Sequence, residues 1–362
     1  MKKNVLHIIS STNWRGGEQQ VQYLLNNISD KYEAYLLCVK DTAIIHKNQH
    51  LIHKIFTYKK RFGFDIFAAI ELKKICKKNK IDIIHLHDSH AINTYILADL
   101  LGLDIPAIIH RHVNFPIYTK WKYQYKKIQK IICVSNEVKR NFIPFIDDKK
   151  LEVIYPGIDV NKFQNSELSI QNSLKQELNI SNETKLIGII SALEPEKNIE
   201  EFIKIAEKIS STRNDIKFVI IGDGSLKSNL ISQISSEISE LKSNIIFLGF
   251  RDDIPQILSS LDIFLFTSKN EGFGQVLLEA MAAKVPVITS NFATAKEIIE
   301  DKKTGFIYKD INDAVSIINK ILTTYDLRNT TITNAFNFVQ LFDIKKMNEK
   351  INDLYQTVIY NS

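Results

Sequence analysis

The sequence predicts an α/β protein of two domains, each a parallel sheet of Rossmann type. Short apolar strands alternate with helical patterns along the chain, the order that βαβ units require. The length of 362 residues suits two domains of ordinary size, each with its own core. One stretch spells out a whole βαβ unit. A strand over 262–266 precedes the loop Glu271-Gly272-Phe273-Gly274, a helix over 275–283 and a strand opening at Val287-Ile288. Pro286 helps end that helix.

The other elements follow in order. Residues 5–9 form a short strand that feeds Gly16-Gly17 and a helix over 19–28. A strand, glycine turn and helix is the expected start of a doubly wound domain, and glycine lets backbone approach a ligand. Residues 34–39 are a second strand. Residues 64–78 have helical spacing, with Phe67, Ile70, Leu72 and Ile75 apolar and lysines outward. A strand over 81–86 runs into His85-Leu86-His87-Asp88-Ser89-His90. A helix over 91–101 comes next, and a strand over 105–109 runs into His110-Arg111-His112. Residues 131–134 are a strand before a helix over 138–142. Pro156 and Gly157 suit a hinge between domains, and the polar run 164–183 leads into the second one. There, strands over 185–191, 218–221 and 245–248 precede the stretch described above. A last amphipathic helix spans 343–359.

The loop at 271–274 is where chemistry is expected. Its backbone N–H groups point to a helix N-terminus, where an anionic phosphate is favoured. Glu271 lies in the loop, and Glu279 lies about two turns into the helix. The run EGFGQVLLEAMAAKVPVI resembles the E-x7-E region of the retaining glycosyltransferases of family GT4, which have the GT-B fold. The resemblance implies two Rossmann-like domains facing each other across a cleft, an acceptor-side domain over 1–163 and a donor-binding domain over 164–342. It also implies that residues from about 343 to 362 pack back on the first domain.

Residue by residue, the resemblance places Glu271 against the donor sugar. Gly272, Phe273 and Gly274 hold the donor through loop N–H groups, and Glu279 holds the ribose hydroxyls. Gly16 and Gly17 match the family's loop facing the donor diphosphate and the acceptor. IIHRHV matches a strand-end element that makes His112 the active-site histidine, while His87 and Arg111 fall on the acceptor side. Lys197, in ALEPEK, keeps the lysine that clamps the diphosphate. The arginine that usually accompanies it is Ala192 here, and Arg15 or Arg111 are candidates to replace its charge. Gly222 opens the turn beside the nucleotide, and Arg251 follows a turn near the base. VIYPGID differs from the family linker by Pro156 in place of Asn. The implied activity is transfer of a sugar from a nucleoside diphosphate sugar to a hydroxyl with retention. The catalytic residues would be His112, Glu271 and Lys197, with no metal or other cofactor, in cell-envelope polysaccharide or glycolipid synthesis. A nucleotide-sugar epimerase of the same fold stands as an alternative, as does a non-catalytic nucleotide-sugar binder motivated by Ala192.

Composition narrows the setting. The three cysteines are odd in number and far apart, so no disulfide framework is visible. Cys38 and Cys133 read as small core residues. The apolar run after the N-terminal lysines is too short for an export signal or a membrane span, which leads us to expect a cytoplasmic protein. Residues 1–165 carry a net charge of +11 and residues 166–362 a net charge of −5. A solvated basic face and a face that meets anionic lipid both fit that asymmetry. The run KWKYQYKKIQK over 120–130 likewise fits a membrane-interface segment or a helix with its aromatic residues in the core. No nucleic-acid motif accompanies the basic residues. Five of the nine histidines sit at two strand ends. A zinc site needs converging ligands, and this spacing alone supplies no dedicated loop, so we expect polar residues at a crevice mouth and no metal.

Overall fold

The computed structural model describes residues 2–48, 54–164, 174–237 and 244–361. It divides into two compact units, Met1–Gly157 with Ile344–Ser362, and Ile158–Asp343. The chain passes between units at Gly157, ahead of the expected residue 163. The reason is local: Val160 and Phe163 are buried, and their helix, Val160–Gln164, packs on the Gln275–Ala282 helix of the second unit.

Among the described residues the first unit holds seven strands: β1 Lys3–Ile9, β2 Tyr32–Val39, β3 Lys54–Tyr58, β4 Ile83–Leu86, β5 Ala107–Arg111, β6 Ile128–Cys133 and β7 Leu151–Val153. Their order is β3-β2-β1-β4-β5-β6-β7, and every pairing is parallel. The second unit holds six: β8 Lys185–Ile190, β9 Ile216–Ile221, β10 Ile245–Gly249, β11 Ile263–Phe266, β12 Val287–Ser290 and β13 Phe306–Tyr308. Their order is β10-β9-β8-β11-β12-β13, again all parallel. Helices cover both faces of such sheets, so central strands read as unbroken apolar runs. IFLF of β11 is buried throughout. In each unit the strand order reverses beside the first strand, at β1/β4 and at β8/β11. The crevice outside the carboxyl ends there is where open α/β sheets place ligands.

Side-chain caps fix several helix starts. Asp65 accepts from the N–H groups of Phe67 and Ala68, and Asp88 accepts from His90 and Ala91. Asp88 also receives both the amide and the hydroxyl of Ser10, tying the end of β1 to the helix after β4. The last helix, Ile344–Asn361, belongs to the first unit. Its Met347, Ile351, Leu354, Tyr355 and Val358 bury against Val5, Ile83 and Ile108.

Some expectations change. Helix Ile66–Lys78 buries Ala68, Ala69, Leu72, Ile75 and Cys76, leaving Phe67 and Ile70 exposed. The Ala-Ala-Leu-Ile-Cys stripe also has helical period, and its small residues let the helix sit close to helix Ser89–Leu100. The run 120–130 is no helix: a single 3-10 turn, Lys120–Lys122, leads to β6. Tyr123 is buried while Trp121 is half exposed. Part of the polar run 164–183 lies outside the described residues. All three cysteines are buried and free.

Candidate active site

Two sets of predicted residues gather, one at the strand-order reversal of each unit. In the second unit, the chain leaving β8 makes a 3-10 turn, Pro195–Lys197, and the chain leaving β11 makes the glycine loop. Polar contacts staple these loops. Thr267 Oγ1 donates to the Lys197 carbonyl at 3.1 Å, and Ser268 Oγ donates to that of Glu196 at 3.1 Å. The Lys269 amide donates to the same Glu196 carbonyl at 2.8 Å. Lys197 Nζ thereby meets Glu271 Oε1 at 2.7 Å, with side chains only 18% and 12% exposed. Residues 74 apart in sequence form one ion pair at the crevice.

Gly274 follows at φ +99°, a conformation that an L side chain rarely adopts, and opens helix Gln275–Ala282. Its first N–H groups face the loop, the arrangement that binds anions. Thr294 Oγ1 donates to the Phe273 carbonyl at 3.1 Å and holds the loop from below. Glu279, on the same helix, is buried and takes Gln275 Nε2 at 3.3 Å. Gly222 borders this site. A Cβ there would lie 1.9 Å from the Ser191 carbonyl oxygen at φ +135°, so only glycine fits. The turn is bonded on both sides, by Leu193 N to Asp223 O and by Gly222 N to Gly249 O. Arg251, expected near the base, follows the β10 turn and meets two carboxylates. Its guanidinium bonds both oxygens of Glu177, at 2.6 and 3.0 Å, and both of Asp253, at 2.7 and 2.6 Å. Four of its donors are engaged by these two carboxylates. Ala192 leaves Lys197 as the cation that the predicted set brings to the loop.

In the first unit, Gly16-Gly17 starts helix Gly16–Asn26 directly, and the Arg15 amide donates to Glu18 at 2.9 Å. Gly17 lies against the His112 ring. Arg111 is tied down by the Phe115 carbonyl at 2.8 Å and the Tyr123 hydroxyl at 3.3 Å. His112 Nε2 lies 3.2 Å from His87 Nδ1, and His87 Nε2 lies 3.1 Å from His7 Nδ1. His85 and His110 stack within this file, with ring centroids 4.3 Å from His87 and 4.1 Å from His112 respectively. Burial pushes His112 down to about 4, with the charge of Arg111 adding to the shift, and pushes His7 down to about 3. Burial also holds His85, His87 and His110 well below the ordinary histidine value. The array is therefore neutral at pH 7. Sequence reading grouped four of these five but missed His7, which sits alone in VLHII; His90 stands apart, stacked on Tyr58.

Comparison with known proteins decides the family. A model described as "Glycosyl transferases group 1" matches residues 170–338, and one described as "Glycosyltransferase Family 4" matches residues 14–162. An Escherichia coli protein named UDP-Gal:alpha-D-GlcNAc-diphosphoundecaprenol alpha-1,3-galactosyltransferase is 31% identical over 82% of this chain and 81% of its own length. The chain belongs to glycosyltransferase family 4. Another relative of this family, the O-antigen biosynthesis glycosyltransferase WclY of Escherichia coli, is 29% identical over 81% of this chain and 83% of its own. The solved structure of Anabaena Alr3699/HepE in complex with UDP-glucose superposes with a TM-score of 0.84 at 21% identity, covering 98% of this chain and 99% of that one. The fold is thus GT-B, and the chain is a family 4 glycosyltransferase similar to enzymes of cell-envelope glycan synthesis.

Proposed function

We propose that the enzyme is a retaining transferase that takes its sugar from a UDP-sugar and gives it to a hydroxyl of a lipid-linked saccharide. The observation that carries this reading is the Lys197–Glu271 pair, 2.7 Å apart beside the Gly272–Gly274 loop. The anomeric C–O bond to the diphosphate breaks while the acceptor oxygen bonds the same face of the sugar. Charge builds on the leaving diphosphate, so stabilising that anion is the largest available lever. Lys197 exchanges Glu271 for phosphate oxygen, and the loop N–H groups supply the remaining donors. Glu271, released, is left to orient sugar hydroxyls, and Glu279 takes the ribose. The phosphate accepts the acceptor's proton, and in this reading no metal or other cofactor takes part. His112 offers a neutral imidazole, able to donate or accept toward a sugar hydroxyl. His87 and Arg111 hold the loop that carries it.

The donor base and the acceptor class are drawn from the similar proteins, whose names specify UDP-Gal, UDP-glucose and a diphosphoundecaprenol carrier. Among the described residues no helix is long and apolar enough to cross a membrane. A lipid-linked acceptor then calls for surface contact with the cytoplasmic face of the membrane. The first unit carries a fitting patch: Phe62, Phe64, Phe67 and Trp121 are exposed. Phe64 stacks on Trp121, and Arg61 and Lys122 cover neighbouring rings. Aromatic rings flanked by cations suit the headgroup region. The test is a turnover assay with UDP-, GDP- and ADP-hexoses and a polyprenyl-diphosphate saccharide. Transfer from a UDP-hexose with an α linkage supports the reading. A β linkage overturns retention, and donor binding without transfer to any acceptor favours a binding protein.

A further inference from the structure

We propose that the first unit contains a site for one divalent transition-metal ion of zinc type, with His7, His85 and His87 as ligands. His7 of β1 and His85 of β4 are register partners on neighbouring parallel strands. His87 lies two residues beyond His85, so its ring falls on the same face. One ring nitrogen from each of the three comes within 4.8 Å of the other two. His7 Nδ1 and His87 Nε2 are 3.1 Å apart. Two ligands on one tetrahedral zinc, at bonds of about 2.0–2.1 Å, stand roughly 3.3 Å apart, so small ring movements complete the site. The converging third ligand, absent from the sequence pattern at 85–90, arrives from β1.

Partners of two of the three remaining ring nitrogens support the assignment. Metal-bound histidines hold their other nitrogen on an outer group, which fixes ring orientation. His85 Nδ1 is on the Tyr355 hydroxyl at 2.6 Å, and His87 Nδ1 is on His112 Nε2 at 3.2 Å. His85 Nε2, the nitrogen turned to the proposed ion, is buried with no hydrogen-bond partner. A buried polar atom of that kind calls for an ion or a water. An ion answers for His85 Nε2 and also removes the need for a proton between His7 and His87. The three rings are buried, and burial favours their neutral form. Imidazoles without carboxylate select zinc, cobalt, nickel or copper over magnesium or calcium. The ion would clamp β1 to β4 and, through Tyr355, the last helix of the same unit. The cationic work of the proposed transfer stays with Lys197, and the ion would reach that chemistry only through His87, which is bonded to His112.

Tag-free full-length protein, stripped with chelator and dialysed against Co²⁺, tests this directly. We expect one Co²⁺ per chain at roughly micromolar free ion, with the intense visible bands of a tetrahedral site, and a higher Tm with Zn²⁺. His7→Asn and His85→Asn should each abolish the bands. Tyr355→Phe, which leaves all three ligands, should weaken binding roughly 10–100-fold. Failure of the wild-type protein to retain any ion overturns the site without needing a variant. So does a spectrum that survives both asparagine variants, or one that only His110→Asn removes.

Discussion

The two units share a plan and differ in what they put at the strand reversal. At β8/β11 the second unit places an ion pair, a glycine loop and a helix N-terminus. At β1/β4 the first places five neutral imidazoles in a file. The difference follows from burial. Lys197 and Glu271 neutralise each other at a partly open site, so a charge is stored ready for an anion. The histidines lie on the sheet face that the last helix covers, and desolvation forbids charge there. In the reading proposed above, one sheet end suits a diphosphate and the other presents uncharged groups to a neutral sugar or a metal.

The largest effect expected on this contrast is Gly222→Ala. A Cβ at 1.9 Å from a carbonyl oxygen must displace the turn, and urea unfolding should show a loss of about 3 kcal/mol with weakened nucleotide binding. Next, Glu279→Ala removes a charged acceptor. UDP affinity in calorimetry should fall by about 1.5–3 kcal/mol; no change would remove Glu279 from the ribose site.

The pH dependence separates the units further. Histidines with depressed folded values stay neutral in the fold but protonate in the unfolded chain near pH 6.5. The unfolded state then binds more protons, so stability is full above about pH 6.5 and falls as pH drops toward about 4. Each such histidine adds about 1.4 kcal/mol per pH unit to the slope. In chelator-stripped protein, His85→Phe should remove one such increment between pH 6 and pH 5. An unchanged slope would mean that His85 is charged or solvated in the fold. The smallest effect expected is at the surface: replacing Phe67 and Trp121 with Ser should reduce sedimentation with anionic vesicles severalfold and leave UDP binding unchanged. Lys122, a natural choice from its charge, is buried and would confound that test.

How much was legible follows the same division. Lys197, Glu271, Gly274 and Glu279 belong to local strand–loop–helix patterns, and such patterns are readable because backbone chemistry dictates them. His7 was not legible, because a lone histidine in an apolar strand gains meaning only from its register with His85. Pairing β1 with β4, as a doubly wound order requires, would have exposed it. Arg251 looked free for a nucleotide in sequence. The sequence did not show that Asp253, two residues on, and Glu177, far upstream, pair with it. Phe67 and Ile70 looked like core because two helical stripes fit the same segment, and only the packing partner, chiefly helix Ser89–Leu100, decides which faces in. Residues 40–63 went unread, since their helix Ala43–Asn48 is short and β3, KIFTY, is a half-exposed edge strand.

The central claim is that Lys197, held by Glu271, is the cation that receives the diphosphate. Lys197→Met keeps the stem and removes the charge. Its transfer rate with saturating UDP-sugar, compared with wild type, is the most direct measurement. We predict a fall of about 10²–10³-fold, with a melting temperature close to that of the parent. A rate within a few-fold of wild type would place the leaving-group charge on another residue and contradict the account.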